Sequence, residues 1–151
     1  MIKNKWEAIE KSNRCFIKQG YILTDSHKTI RIRQTDSKSY ITIKGSNVGA
    51  IRPEYEYEIP SEDAEELIEK FAVSSITKIR YIIDYKNKKW EVDEFLGDNE
   101  GLIIAEIELK DENEEFELPE WIGKKSQTLK NITIQDCLKF HLKNGDIVKF
   151  E

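Results

Sequence analysis

The chain has 151 residues, 35% charged and 38% hydrophobic, with a formal net charge of −5. That length supports one domain with a sizeable core, and three Trp, six Tyr and six Phe argue against disorder. Both signs of charge are interspersed without a basic tail, which weighs against a general nucleic-acid or membrane-surface binder, and no apolar run approaches a membrane span.

In chain order, Trp6 and Ile9 stand one turn apart and predict a short helix over residues 6–11. "CFIKQGYIL" (15–23) reads as a strand with a Gly break. "KTIRIRQ" (28–34) and "SYITIKG" (39–45) alternate in character and form a hairpin around "TDSK". "PEYEYEI" (53–59) is a further strand, with Pro53 at its start. Ser61 is the expected N-cap of a helix whose Ala64, Leu67, Ile68 and Phe71 share one face.

"TKIRYIIDY" (77–85) and "KWEVDEF" (89–95) make a second hairpin, and the loop "LGDNEG" leads into "LIIAEIEL" (102–109). An acidic, Pro-interrupted stretch (110–123) follows. Thr133-Ile134-Gln135-Asp136 resembles a capping box, and Ile134, Cys137, Leu138 and His141 share the face of a helix ended by Asn144-Gly145. "DIVKFE" adds a short terminal strand. The expectation is one domain over residues 1–151, of class α+β and mostly antiparallel, in the cytoplasm.

Several chemistries lack their parts. Cys15 and Cys137 lie far apart outside any metal-like spacing; a disulfide between them is open, but two buried free thiols are the expectation. His27 and His141 are isolated, and the seven glycines form no phosphate-binding loop. What remains is a pattern of charge. Residues i and i+2 share a strand face, and like-signed pairs recur: Arg31/Arg33, Glu54/Glu56, Lys78/Arg80, Glu91/Asp93 and Glu106/Glu108, with Lys44 on another strand. The opposite faces carry Ile32, Ile41, Ile43, Tyr55, Tyr57, Ile79, Tyr81, Trp90, Val92, Ile107 and Leu109.

A half-exposed sheet with its charges in solvent is the plain reading of any one pair. Repetition on successive strands admits another: a barrel that turns its charged face inward as a wet channel and its apolar face outward. Arg and Lys suit phosphate oxygens, and clustered carboxylates suit Mg²⁺ or Mn²⁺. A polyphosphate with a divalent metal matches both sets.

The series "IRIRQ", "ITIKG", "PEYEYEIP", "TKIRY", "WEVDEF" with "GDNEGL", and "AEIEL" resembles the bacterial CYTH domain of the triphosphate tunnel metalloenzyme family, in family order from about Trp6 to Gly123. The resemblance implies an eight-stranded antiparallel tunnel with flanking helices that hydrolyses triphosphate compounds, often inorganic tripolyphosphate in the simple bacterial members. It implies phosphate binding by Arg31, Arg33, Lys44, Lys78 and Arg80. Glu106 and Glu108 would face the metal, supported by Glu54, Glu56, Glu91 and Asp93, with Glu106, Glu108 and Lys44 placed at the catalytic centre. Mg or Mn is the implied cofactor, tripolyphosphate or a nucleoside triphosphate the implied partner, and a homodimer is admitted.

The chain also departs from that pattern. The family's first strand carries Glu-x-Glu-x-Lys ahead of the segment holding Trp6, whereas this sequence opens "MIKNKW". Its C-terminal "SQTLKNITIQD" replaces a basic-aromatic segment. A misassigned or truncated start, a degenerate member, or a strand supplied by another chain would each account for the first difference. The expectation is a triphosphatase with reduced or absent turnover as given. The alternatives are a non-catalytic polyphosphate- or nucleotide-binding module and, further off, an adenylate cyclase.

Overall fold

A computed structural model describes residues 3–11, 13–46, 52–107, 116–122, 127–128 and 147–150. Its elements begin with helix α1 (Lys3–Glu7), strands β1 (Arg14–Thr24), β2 (Thr29–Thr35), β3 (Ser39–Lys44) and β4 (Glu54–Ile59), and helix α2 (Ser61–Phe71). Strands β5 (Ser74–Tyr85), β6 (Lys88–Phe95), β7 (Ile103–Ile107), β8 (Gln127–Thr128) and β9 (Ile147–Phe150) follow, with a short 3-10 turn at Gly97–Asn99. The class is α+β. Two compact units divide the chain, Cys15–Thr77 and the combination of Met1–Arg14 with Lys78–Glu151.

In the Cys15–Thr77 unit the strand order is β4–β3–β2–β1, all antiparallel. Ile32, Ala64 and Ile68 form its core, with Ile22, Ile41, Ile59 and Leu67 packed against them. Helix α2 presses so closely on β1 that a Cβ at Gly20 would lie 2.9 Å from Ile68 Cγ1 and 3.0 Å from Ala72 Cβ. Gly20 therefore does not break the strand: β1 runs through it, and the register shifts between Tyr21 and Leu23 instead.

Pro60, not Ser61, caps α2, because its extended φ and ψ form the helix entry while its carbonyl accepts from Ala64 N at 3.0 Å. The Ser61 hydroxyl pairs with Ser39 Oγ at 3.1 Å. Phe71, at the last turn, is 59% exposed rather than in the core. Tyr55 and Tyr57, on β4 at the edge of this unit's strand order, are exposed as well.

In the other unit β5, β6 and β7 are antiparallel neighbours, and β9 pairs in parallel with β7 and β8. The long connection from β7 to β9 permits that parallel crossover. Among the described residues, neither unit alone closes into the eight-stranded antiparallel tunnel that the resemblance implies. Lys86 and Asn87, both at positive φ, turn the β5–β6 hairpin. The apolar face of β5–β7 is covered by aromatics: Trp6 meets Tyr81 and Trp121 at ring separations of 5.5 and 5.6 Å, and Trp90 meets Trp121 at 5.8 Å.

Helix α1 falls earlier than the expected 6–11 span. Its Trp6 is anchored in this cluster, and by Asn13, whose carbonyl accepts from Ile82 N at 3.0 Å, the chain has met β5. Cys15 is a free, half-buried thiol. Glu108 and Leu109, the expected helix after Thr133, Cys137 and His141 lie outside the described residues. Among the described residues no helix is long and apolar enough to cross a membrane.

Candidate functional site

Register, which aligns side chains across neighbouring strands, assembles one charged face in each unit. In the Cys15–Thr77 unit, Arg31 stands between Tyr21 of β1 and Thr42 of β3, and Arg33 between Gln19 and Tyr40. Every cross-strand partner of the two arginines is therefore uncharged. Gln19 and Thr42 are fully buried and Tyr21 nearly so. The Arg33 Nε donates to Gln19 Oε1 at 3.0 Å, and the Gln19 Nε2 donates to the Tyr21 hydroxyl at 3.2 Å.

Burial pushes the Tyr21 phenol above its usual range, against the pull of the neighbouring Arg31 and Arg33. Arg31 Nε is buried and has no hydrogen-bond partner among the described residues. Farther along the same face, Lys44 pairs with Glu54 at 3.1 Å, and the Thr42 hydroxyl donates to Glu56 at 2.9 Å. Glu54 and Glu56 are exposed.

The β5–β7 face is built around Asp93. Lys78 and Asp93 are each 1% exposed, joined by a 2.6 Å bond from Lys78 Nζ. Arg80 grips the same carboxylate through Nε at 2.7 Å and Nη2 at 2.8 Å. Its guanidinium also contacts Glu91 and lies 3.7 Å from Glu106. Burial opposes the charge of Asp93, but Arg80 and Lys78 outweigh it and hold the carboxyl below the usual range. Burial likewise opposes the charge on Arg80, and Asp93, Glu91 and Glu106 override it to keep the guanidinium protonated.

Glu91 and Glu106 are direct cross-strand partners, a like-charge pair that is unfavourable unless a cation intervenes. Arg80 supplies one. Carboxylate oxygens are the right donors for Mg²⁺ or Mn²⁺, yet among the described residues no three acidic, His or Cys side chains form a metal-holding group. The carboxylates of this face converge on Arg80 instead, so the described residues do not by themselves fit the metal.

The structure thus brings Lys78, Arg80, Glu91, Asp93 and Glu106 together in one unit. In the other, Arg31 and Arg33 share a polar face with Lys44, Glu54 and Glu56. Gln19, Tyr21 and Thr42 are neutral, so the pattern of charge does not mark them. The i, i+2 spacing of Gln19 and Tyr21, set against the arginine pair through hairpin register, was the signal that could have found them.

A family model described as the CYTH domain matches residues 3–139. An inorganic triphosphatase of Acetivibrio thermocellus is 51% identical over 108 residues, covering 71% of this chain and 69% of that protein. A crystal structure of an inorganic triphosphatase is 26% identical, covering 60% of this chain and 58% of its own, with a TM-score of 0.48. A protein of Pyrococcus horikoshii OT3 is 26% identical, covering 62% and 63%, with a TM-score of 0.45. The chain therefore spans about three-fifths of the length of those solved structures.

Proposed function

The chain belongs to the CYTH domain family, and from that premise we propose that it hydrolyses triphosphate compounds, with inorganic tripolyphosphate as the substrate. The observation that carries the reading is Arg31 Nε, a buried charged donor without an acceptor. Such a group is costly to leave unmet, and an anionic oxygen meets it. With neutral groups facing Arg31 across both neighbouring strands, phosphate is the fitting partner.

In this reading Arg31 and Arg33 in one unit, and Lys78 and Arg80 in the other, bind phosphate oxygens. They oppose the negative charge that shifts during transfer of a phosphoryl group to water. On the family's account, Glu106 with Glu108, and Lys44, are the proposed catalytic residues. Mg²⁺ or Mn²⁺, supplying Lewis-acid charge when bound, belongs to the proposal on the family's account. Glu106 and Glu108 are its proposed holders on that account alone, since the described Glu91, Asp93 and Glu106 lie against Arg80.

Phosphate release from tripolyphosphate, with a nucleoside triphosphate as comparison, tests the enzyme reading. It should be measured for this chain and for one extended by a Glu-x-Glu-x-Lys strand. Release above background by either chain, reduced at least tenfold by Arg31→Ala, is the expected result. Negligible release from both would defeat it. Binding without turnover is the second reading, favoured by one observation: the described carboxylates engage Arg80, Lys78, Lys44 and Thr42 rather than one another around a common centre. It predicts a rise in Tm with tripolyphosphate that Arg31→Ala or Arg80→Ala diminishes.

A further inference from the structure

Two like charges on one strand face, Arg31 and Arg33, repel each other and gain from being held in place. The cation pair on β5 is held by a carboxylate, Asp93, which cancels part of its charge. On β2 a neutral group makes a contact of this kind. Gln19 is fully buried, stands directly across from Arg33, and uses both ends of its amide. Its oxygen accepts from Arg33 Nε at 3.0 Å and its nitrogen donates to the Tyr21 hydroxyl at 3.2 Å. Tyr21 in turn stands across from Arg31 and interacts with its side chain.

The bond to Arg33 is made at the stem nitrogen of the guanidinium, so it sets the plane of the fork without itself engaging the terminal edge. An amide also adds no charge. A carboxylate in its place would hold Arg33 as well but would subtract from the positive potential offered to an anion.

We propose that Gln19 is a positioning residue. Through Arg33 directly, and Arg31 by way of Tyr21, it orients two guanidinium groups toward a phosphate-bearing anion while adding no charge of its own. The inference rests on the phosphate-binding reading above and adds to it the residue that preorganises the cations. Its consequence is a separation of geometry from charge. Gln19→Met keeps the volume and loses both hydrogen bonds, whereas Gln19→Glu keeps the acceptor and adds a negative charge.

The test is calorimetric titration of the full chain and its variants with inorganic tripolyphosphate, with Tm recorded for each without ligand. Each variant should weaken binding about tenfold or more, the scale set by one misplaced charge-assisted contact. The double variant Gln19→Met with Arg33→Lys should lose less than the sum of the two single losses, because part of the Gln19 effect passes through the Arg33 guanidinium. A general packing defect would instead add its loss to that of Arg33→Lys.

Should Arg31→Ala weaken binding while both Gln19 variants bind as the parent does, the positioning role is overturned and the phosphate reading stands. Strict additivity in the double variant overturns the role as well. If the parent chain does not bind tripolyphosphate, or Arg31→Ala leaves its affinity unchanged, the phosphate reading falls and takes this inference with it. Gln19→Glu keeps the question open to measurement if Gln19→Met fails to fold.

Discussion

A carboxylate that serves two buried cations makes stability depend on acid. Asp93 accepts from Lys78 and Arg80, and its pKa in the folded state lies below the ordinary aspartate value. The deprotonated form is therefore the one the fold favours. Its contribution is complete above the unfolded aspartate pKa of about 3.9 and is lost as pH falls through the depressed folded value. Asp93→Asn should cost about 3–5 kcal/mol near neutral pH, because it leaves Lys78 and Arg80 buried without their shared counter-charge. It should also flatten the acid limb of a stability-versus-pH curve measured by urea denaturation. An acid limb as steep as the parent's would show that Asp93 is not the titrating group. The signs of these residues were legible in the sequence, but their pairing was not. Alternation shows that Asp93 and Arg80 lie on charged faces, whereas only register shows that they are opposite each other.

At the scale of elements, the contact between α2 and β1 shows how a local reading of glycine misleads. Gly20 in "KQGYI" suggested a break, since glycine weakens strands. The structure uses it for clearance: Ile68 and Ala72 occupy the space a side chain would need. Gly20→Ala should destabilise by about 1–3 kcal/mol through overpacking. Removing the obstructing carbons with Ile68→Ala should make the pair non-additive, the double variant losing less than the sum of the single losses. Thermal unfolding of the four proteins reads this directly, and strict additivity would contradict the close approach. The helix itself was legible from Ala64 and Ile68, both buried as expected. Its start was misread because Ser61 has the chemistry of a cap, while Pro60 already holds the extended backbone of one.

At the scale of the whole molecule, strands β1–β7 and the sidedness of β5–β7 are readable, though not β8, because the face carrying Tyr81 and Trp90 had to meet Trp6 and Trp121 and the other could not. The like sign within each strand was readable too, and register gives it a use. β5 sets Arg80 against Asp93, and β3 sets Lys44 against Glu54, whereas β2 sets its arginines against neutral groups. The neutral members of these faces escaped a reading based on charge. These local arrangements sit in a chain with a net charge of −5, whose long-range field disfavours the approach of a polyanion. A divalent cation bound to tripolyphosphate lowers the charge that must approach. Binding of tripolyphosphate should therefore be tighter with Mg²⁺ or Mn²⁺ than with EDTA at matched ionic strength. At a ligand concentration of about 100 Kd the metal-containing sample should gain about 2.7 kcal/mol of stability. The EDTA sample, at the same ligand concentration, should gain less. Equal stabilisation in both would separate phosphate binding from the metal and leave the cations of β2 and β5 as sufficient for it.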